Sequence, residues 1–399
     1  MNKRVIFILA GILLIFNACN NSSDNKPSNI YNKYVAEVKN MQKAYPEITV
    51  IETLGKSTDG NEIYALIVSD NPTTNEYEPR VRLTGSIHGN EGITTPVLLD
   101  AVTYLLENYK TSSIAENIIN NTYTVVIPAI NPDGLINNSR YNSNGVDLNR
   151  NFSYYWENGS SHGTNPFSEI ESQVFRDYSL QKLFHLSATF HTGETVVNIP
   201  YDYVAYNNNS TNISSEYDLL RSLGEVYSLT GNFINSPGLL SLTDLSGNNL
   251  VINGVVNGGD WYVVGGSLQD WSILETGCID ITMEISDLQG YFSDSNLSDV
   301  IYYNRDSILA YISSVQRGVS GVIKDNNDNP VFDANVYVQD GDIITSSDQN
   351  GYFHKILNPG TYTLIVEATG YLQYTVPVVI TNSTSSVDIG DIILVENKN

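Results

Sequence analysis

The sequence predicts an α/β fold, with a mixed central sheet flanked by helices, followed by a small all-β sandwich. Two observations lead to this prediction. Over residues 31–316, short runs of β-branched and aromatic residues alternate with runs of helical periodicity. Over residues 317–399, the helical pattern stops and short strand-like runs are divided by turns such as "NNDNP" and "LNPG". A chain of 399 residues is long enough to bury a core in each of two domains.

Residues 1–19 have the three parts of an export signal: a basic start, an apolar run and a small residue before Cys19. The apolar run from Val5 to Phe16 is too short to cross a bilayer. The arrangement resembles a bacterial lipoprotein signal, in which the cysteine carries the lipid. We therefore expect an exported lipoprotein anchored to a membrane through Cys19 and facing the periplasm or the cell surface; plain secretion is the alternative. Residues 20–30 are polar and predict a flexible tether.

Six runs in the first domain are short and rich in β-branched or aromatic residues, which predicts strands. They are "EITVIETLG", "EIYALIVS", "RVRLTGSI", "TYTVVIPAI", "FHLSATFH" and "CIDITMEIS". Helices are predicted for "TTPVLLDAVTYLLENY", "SEIESQVFRDYSLQKLF" and "SNLSDVIYYNRDSILAYISSVQ". Strands that are apolar on both faces and separated by helices indicate an α/β layer with a mixed or parallel sheet.

Seven strand-like runs follow in residues 317–399, which predicts the sandwich. They are "GVSGVIKD", "ANVYVQ", "DIITSSD", "GYFHKIL", "GTYTLIVEATGY", "LQYTVPVVI" and "SVDIGDIILV". His354 in this domain and His162 in the first have the sequence context of surface residues. Since nothing in the sandwich offers chemistry, we expect it to pack on the first domain as a structural module.

The chain is strongly acidic, with 44 Asp and Glu against 20 Lys and Arg. A nucleic-acid partner is excluded, because such binding needs cationic charge facing phosphate. The acidity suits a cationic substrate, and it also serves solubility. The second cysteine, Cys278, lies in an apolar run, so we expect a packed thiol and no intrachain disulfide.

His88 and His191 each come at the end of an apolar strand run, and Glu91 lies three positions after His88. Ligands in open α/β sheets gather beyond the carboxyl ends of the strands. Two histidines and a carboxylate at such ends would form the ligand set of a catalytic zinc, with one position left for water. An isolated H-x-x-E motif is weak, however, and a polar turn is the commoner interpretation.

Residues 131–152, "NPDGLINNSRYNSNGVDLNRNF", are dense in turn formers and predict loops rather than a helix. They present Arg140, Asn149 and Arg150, and guanidinium and amide groups beside a zinc can hold a carboxylate or a developing oxyanion. Asp147 is a candidate acceptor that would orient a ligand histidine through its other ring nitrogen. A surface loop with ordinary ion pairs would have the same composition.

Two later features add candidates. Glycine-rich residues flank Tyr262, which suggests a mobile loop that carries a phenol. Glu284 lies in an otherwise apolar strand run, where a buried carboxylate is unfavourable unless it has a task or a partner. Beside a water on zinc, that task is general base and then general acid.

Taken in order, these segments resemble the zinc metallocarboxypeptidases, and specifically their regulatory N/E-type branch (carboxypeptidases D, E, M and N). In that branch a catalytic α/β domain is followed by a transthyretin-like β-sandwich. The segments that carry the resemblance are "HGNE", "SRYNSNGVDLNRNF", "SATFHTGETVVNIPYD", "WYVVGGSLQDW" and "ITMEIS". The resemblance covers nearly the whole chain after the signal, and it implies one Zn²⁺ per chain, held by His88, Glu91 and His191.

The same resemblance implies roles for the remaining candidates. Arg140 would stabilise the oxyanion and Glu284 would be the catalytic glutamate. Substrate binding would fall to Asn149, Arg150 and Tyr262 for the terminal carboxylate, and to Asp202 and Gln269 for a Lys or Arg leaving residue. Thr192 and Ser267 replace glycines that are usual in the branch, and both bear on specificity.

The function implied is a zinc-dependent metallocarboxypeptidase, a monomer whose partners are peptides with a free C-terminus, preferring C-terminal Lys or Arg. An alternative of the same class is a carboxypeptidase that trims peptidoglycan peptides, because a diaminopimelate end is also partly cationic. An inactive, peptide-binding lipoprotein is the alternative of a different class. The complete set of candidate ligands together with Glu284 counts against it.

Overall fold

The computed structural model describes residues 27–203 and 216–397. Cys19, the predicted signal and most of the predicted tether lie outside these residues. Among the helices described, none combines the length and the apolar composition that a membrane span needs.

The first domain is built on strands that confirm the six predicted runs and add two others. They are β1 (Thr49–Lys56), β2 (Glu62–Val68), β3 (Arg80–Thr84), β4 (Tyr123–Ile127), β5 (Leu186–His191), β6 (Glu194–Ile199), β7 (Val255–Asn257) and β8 (Ile279–Ser286). Within the described residues they form one eight-stranded sheet in the order β1-β2-β4-β3-β5-β8-β6-β7. The central strands β4, β3, β5 and β8 are parallel, whereas β1, β2 and β6 pair antiparallel with neighbours, so the predicted mixed sheet is confirmed.

Helices cover both faces of this sheet. They are α1 (Pro27–Ala44), α2 (Thr94–Asn108), α3 (Ser113–Asn121), α4 (Pro132–Asn137), α5 (Ile170–Lys182), α6 (Tyr217–Leu229), α7 (Gly258–Trp261), α8 (Leu268–Thr276) and α9 (Asp294–Ser313). Strand β2 illustrates why its run is apolar throughout: Leu66 packs in the core under α1, α2 and α9, and Ile67 in the core under α5 and α8. The two cores hold the sheet rigid, so the carboxyl ends of its parallel strands are fixed relative to one another.

Two sequence predictions need correction here. Residues 132–137 form helix α4 rather than a loop, because Asn131 caps its start by accepting a hydrogen bond from the Gly134 N–H at 2.9 Å and Pro132 suits the first helical position. The predicted tether is too long at its end, because residues 27–30 already belong to α1 and Ile30 packs against the core.

The second domain confirms the predicted sandwich. Its strands are β9 (Gly318–Asp325), β10 (Asn335–Val338), β11 (Thr345–Ser346), β12 (Tyr352–Lys355), β13 (Gly360–Glu367), β14 (Tyr374–Ile380) and β15 (Ser386–Leu394). In the described part of the chain they form two sheets, β11-β10-β13-β14 and β12-β9-β15, and of their pairings only β9 with β15 is parallel.

The sandwich packs on the first domain through buried polar contacts. The Asp348 carboxylate accepts a hydrogen bond from the Arg80 guanidinium at 2.9 Å, and the Lys355 ammonium lies 3.0 Å from the Glu216 carboxylate. His354 is buried at this interface, with its ring 5.4 Å from that of His185, so the prediction that it is a surface residue was wrong. Its strand, β12, faces the first domain, which the sequence of the sandwich alone does not reveal.

Candidate active site

The three candidate metal ligands converge at the carboxyl ends of neighbouring parallel strands. His191 is the last residue of β5, and His88 follows the adjacent strand β3. A short 3₁₀ turn over Gly89–Glu91 brings the Glu91 carboxylate back beside His88. A Cβ on Gly89 would lie 1.9 Å from the Gly134 carbonyl carbon, so only glycine allows the turn to pack against α4.

The distances within this group fit a zinc ligand set. The Glu91 carboxylate lies 2.8 Å from Nδ1 of His88 and 3.0 Å from Nδ1 of His191, and the two nitrogens are 3.2 Å apart. Two nitrogens on one tetrahedral zinc lie about 3.3 Å apart. Burial raises the pKa of Glu91, but the two histidines outweigh it and lower that pKa to about 2. The group therefore offers an ionised carboxylate and two imidazole nitrogens at zinc spacing.

Asp147 lies behind the metal ligands and contacts one of them. Its carboxylate is 3.1 Å from Nε2 of His88, and its other oxygen accepts a hydrogen bond from Nε of Arg140 at 2.9 Å. Although burial favours the neutral acid, His88 and Arg140 lower the pKa of Asp147 well below its usual range. An ionised Asp147 holds the His88 ring with Nδ1 directed at the other ligands.

A cavity of about 220 Å³ opens beside the ligands, and we call it the central cavity. It brings together nine of the residues that the sequence singles out: His88, Glu91, Arg140, Asn149, Arg150, His191, Asp202, Tyr262 and Glu284. Tyr262 is half exposed at its mouth. Asn149 is held by several contacts, including the Leu268 N–H, which donates to its side-chain oxygen at 2.9 Å, and Nη1 of Arg150, which donates to its main-chain carbonyl oxygen at 2.7 Å.

Glu284 lies on β8 directly beside His191 in the parallel register. Its Oε2 is buried and has no hydrogen-bond partner among the described residues. Burial raises the pKa of Glu284 well above its usual value, and repulsion from Glu91 adds to the shift. A cation held by the neighbouring ligands would favour the ionised form of Glu284, whose free oxygen could then accept a proton from water.

Of the two candidates for binding a basic leaving residue, Asp202 lines the central cavity and Gln269 does not. Asp202 lines the central cavity and accepts hydrogen bonds at 3.0 Å from Nδ2 of Asn198 and from Nε2 of Gln269. Gln269 is buried behind the cavity wall, where its oxygen accepts from the Thr282 N–H at 2.7 Å, so it contacts Asp202 rather than the cavity. A Cβ at Gly258 would lie 2.2 Å from the Asp202 carboxylate, so glycine there leaves room for that side chain.

Thr192 and Ser267, the two residues that replace glycines usual in the N/E-type branch, lie in different parts of the site. Thr192 lines the central cavity, and its N–H donates to Glu91 at 3.2 Å. Ser267 caps helix α8, because its hydroxyl accepts from the Asp270 N–H at 3.2 Å. Ser267 therefore has a helix-capping role, and Thr192 alone adds a side chain to the cavity.

Sequence analysis missed Glu194 and Asn198, which also line the central cavity. Both belong to β6, a strand not among the predicted runs. The β-branched residues of "ETVVNI" were the available signal, and the two polar residues lie on one face because they are four positions apart.

A catalytic zinc ligand set at the carboxyl edge of a mixed α/β sheet, with a proton acceptor beside it, defines a metal-dependent hydrolase. Comparison with known proteins makes the class specific. The chain belongs to the zinc carboxypeptidase family, whose sequence model matches residues 34–307. A CarboxypepD_reg-like domain matches residues 319–392.

Individual relatives agree with this assignment. Carboxypeptidase D from Homo sapiens is 30% identical over 340 residues, which cover 82% of this chain and 24% of that protein. The chain thus spans about a quarter of the length of that relative. The carboxypeptidase N catalytic chain from Rattus norvegicus is 28% identical over 384 residues, which cover 88% of this chain and 82% of the relative.

Solved structures share the fold of the first domain. The structure of thrombin activatable fibrinolysis inhibitor aligns with a TM-score of 0.60 at 19% identity, covering 72% of this chain and 75% of that chain. Carboxypeptidase A from Helicoverpa armigera aligns with a TM-score of 0.55 at 22% identity, covering 71% and 70%. At these identities the likeness concerns the fold alone.

Proposed function

We propose that the protein is a metallocarboxypeptidase that removes the C-terminal residue of peptides and prefers Lys or Arg as that residue. One observation carries the proposal: Glu284, with an unpartnered oxygen among the described residues, lines the same cavity as His88, Glu91 and His191. The family assignment supports the reaction, and the surroundings of Asp202 support the preference.

His88, Glu91 and His191 would hold the zinc, which when bound would supply Lewis-acid polarisation of a carbonyl oxygen and lower the pKa of a water molecule toward neutrality. Glu284, in the carboxylate form that a neighbouring cation favours, accepts a proton from the attacking water and returns it to the leaving amine. Arg140 donates to the oxyanion as negative charge develops, and one such donor contributes about 3–4 kcal/mol.

Cleavage at a chain end follows from the residues opposite the metal ligands. Asn149 and Arg150 offer an amide and a guanidinium, which together match a free carboxylate. Tyr262 lies at the mouth and covers the bound residue. A peptide without a free C-terminus lacks the group that these residues bind, so it is not positioned for attack.

The preference for a basic residue rests on Asp202. The amides of Asn198 and Gln269 donate to its carboxylate, and burial raises the pKa of Asp202 despite the opposing influence of Arg150. A Lys or Arg side chain in the cavity would add a positive charge beside Asp202 and favour the ionised carboxylate.

The test compares the zinc-loaded protein on blocked dipeptides that end in Arg, Lys, Phe, Glu or diaminopimelate. We expect hydrolysis of the Arg and Lys substrates, loss of most of kcat in Glu284→Gln, and loss of the basic preference in Asp202→Ala. Full activity in Glu284→Gln would contradict the mechanism. Phe cleavage that equals Arg cleavage would remove the basic preference and leave the mechanism intact.

We also propose that Cys19 carries a lipid and that the protein is an exported monomer. The three-part composition of residues 1–19 supports anchoring, and a central cavity built by one chain supports the monomer. Metabolic labelling with a radioactive fatty acid tests the first point: wild type should be labelled and membrane-bound, and Cys19→Ala should be neither. Sedimentation of the protein released in detergent tests the second.

A further inference from the structure

Strand β6 runs along the floor of the central cavity and contributes a polar side chain at each end. In its antiparallel pairing with β8, Val196 lies opposite Glu284, and Glu194 lies opposite Ser286. Residues two apart on a strand share a face, so Glu194 and Asn198 point to the same side as Glu284 and lie on either side of it. The Cα atoms of Glu194 and Asn198 are about 13 Å apart along the strand.

The two ends of the cavity have different partners. Asn198 donates to Asp202 at 3.0 Å and so belongs to the end that receives the leaving residue under the proposed function. Glu194 lies at the other end, beyond Glu284, with Thr192 and Gln289 as neighbouring wall residues. A peptide whose last residue fills the Asp202 end therefore passes Glu284 and runs toward Glu194.

The carboxylate of Glu194 has no ion pair and no side-chain hydrogen bond with another described residue. It is partly exposed and lines the central cavity. Glu284, on the neighbouring strand β8, is also acidic and lines the same cavity. An unpaired carboxylate facing a binding cavity favours a cationic ligand group and disfavours an anionic one.

We propose that Glu194 is a specificity-determining residue that selects the charge of the penultimate residue, the one on the acyl side of the scissile bond. Peptides with Lys or Arg at that position are preferred, neutral residues come next, and acidic residues are rejected. The inference rests on the proposed carboxypeptidase function, because that function fixes the direction in which the peptide lies.

The experiment measures kcat/KM of the zinc-loaded protein on three blocked peptides, acyl-Arg-Arg, acyl-Ala-Arg and acyl-Glu-Arg. A partly exposed ion pair corresponds to a preference of roughly fivefold for the first over the second, with the third slower again. In Glu194→Gln both ratios should fall toward one. The ratios are the readout because all three peptides meet the same Glu284, so any effect of Glu194 on that carboxyl group cancels.

Glu47→Gln is the matched control, because it removes the same charge from an exposed position outside the cavity. It should keep the wild-type ratios. Raising the salt concentration should shrink the ratios in wild type and leave those of Glu194→Gln unchanged, which a purely structural role would not produce.

The outcomes separate the two proposals. Hydrolysis of all three peptides at equal rates, or equal ratios in wild type and Glu194→Gln, would overturn the role of Glu194 and leave the carboxypeptidase function standing. Absence of hydrolysis on every peptide would instead contradict the proposed function itself.

Discussion

Asp147 links the candidate metal ligands to the loop that binds substrate. One carboxylate contacts Nε2 of His88, Nε of Arg140 and the N–H of Asn149, at 3.1, 2.9 and 3.0 Å. Because these contacts are made by a buried, ionised group, the positions of a metal ligand, an oxyanion donor and a carboxylate-binding residue depend on one side chain.

We predict that Asp147→Asn weakens zinc binding by roughly 10–100-fold, because His88 loses the charged acceptor that fixes its ring. Competition with a chromophoric chelator measures the affinity. Asp202→Asn removes a buried carboxylate that lines the central cavity and contacts no metal ligand, so this variant should bind zinc as the wild type does. Equal zinc affinity in Asp147→Asn and wild type would refute the role.

Functional residues were predictable from the sequence where a motif lies at the end of a predicted strand. His88, Glu91 and His191 could be placed together because parallel strands end at one edge of the sheet. Glu194 could not be found in the same way, because its importance depends on which strand β8 pairs with. Strand pairing joins residues about 90 positions apart, and no local pattern encodes it.

At the scale of elements, helix α8 ends where the two domains meet. Its C-terminal cap, Gly277, has φ +67° and stands against the sandwich. A Cβ there would lie 1.6 Å from the carbonyl oxygen of Ile344. The left-handed conformation and the close backbone approach both require glycine at this position.

Gly277→Ala is expected to lower the free energy of unfolding by about 3 kcal/mol, from the left-handed penalty and the displaced backbone together. Chemical denaturation measures it. Gly370 has φ +89° with open space around it, so Gly370→Ala should lose only about 1 kcal/mol. Equal losses in the two variants would show that the contact with Ile344 has no effect.

Most strands were predictable from local pattern, whereas only α2, α5 and α9 were predicted among the nine described helices, and two of the misses have clear physical causes. Strand β7 has three residues, which are too few to show an alternation of apolar and polar side chains. Helix α4 lies in a segment rich in Asn and Gly, where the capping of Asn131 outweighs weak helix propensity. The sandwich runs were predicted best, because each is bounded by strong turn residues.

At the scale of the whole molecule, the domains meet around two buried histidines. His185 accepts a hydrogen bond from the Arg80 N–H at 3.0 Å, and His354 lies 2.6 Å from the Val315 carbonyl oxygen. Burial lowers the pKa of His354 to about 4 and that of His185 well below its usual value. Both rings are therefore neutral in the folded protein near pH 7.

The folded protein should lose stability as the pH falls from about 6.5 to about 4. The unfolded chain protonates both histidines below pH about 6.5, whereas folded His354 resists protonation until pH about 4. Stability from the neutral ring is thus complete above pH 6.5 and lost as the pH falls, by about 3 kcal/mol for His354.

Denaturation curves at several pH values check this dependence. His354→Gln should flatten it, because glutamine does not titrate, while His162→Gln changes a partly exposed ring and should leave it unaltered. An identical pH dependence in wild type and His354→Gln would contradict the assignment to this interface.

The buried ion pairs between the domains also affect the solubility of recombinant fragments of the protein. A fragment ending at residue 316 would keep Arg80 and Glu216 but lack Asp348 and Lys355, which pair with them in the buried interface. Loss of these buried ionic partners, together with newly exposed apolar surface, favours aggregation. We therefore expect a fragment that ends at residue 316 to be less soluble than the chain that keeps the sandwich.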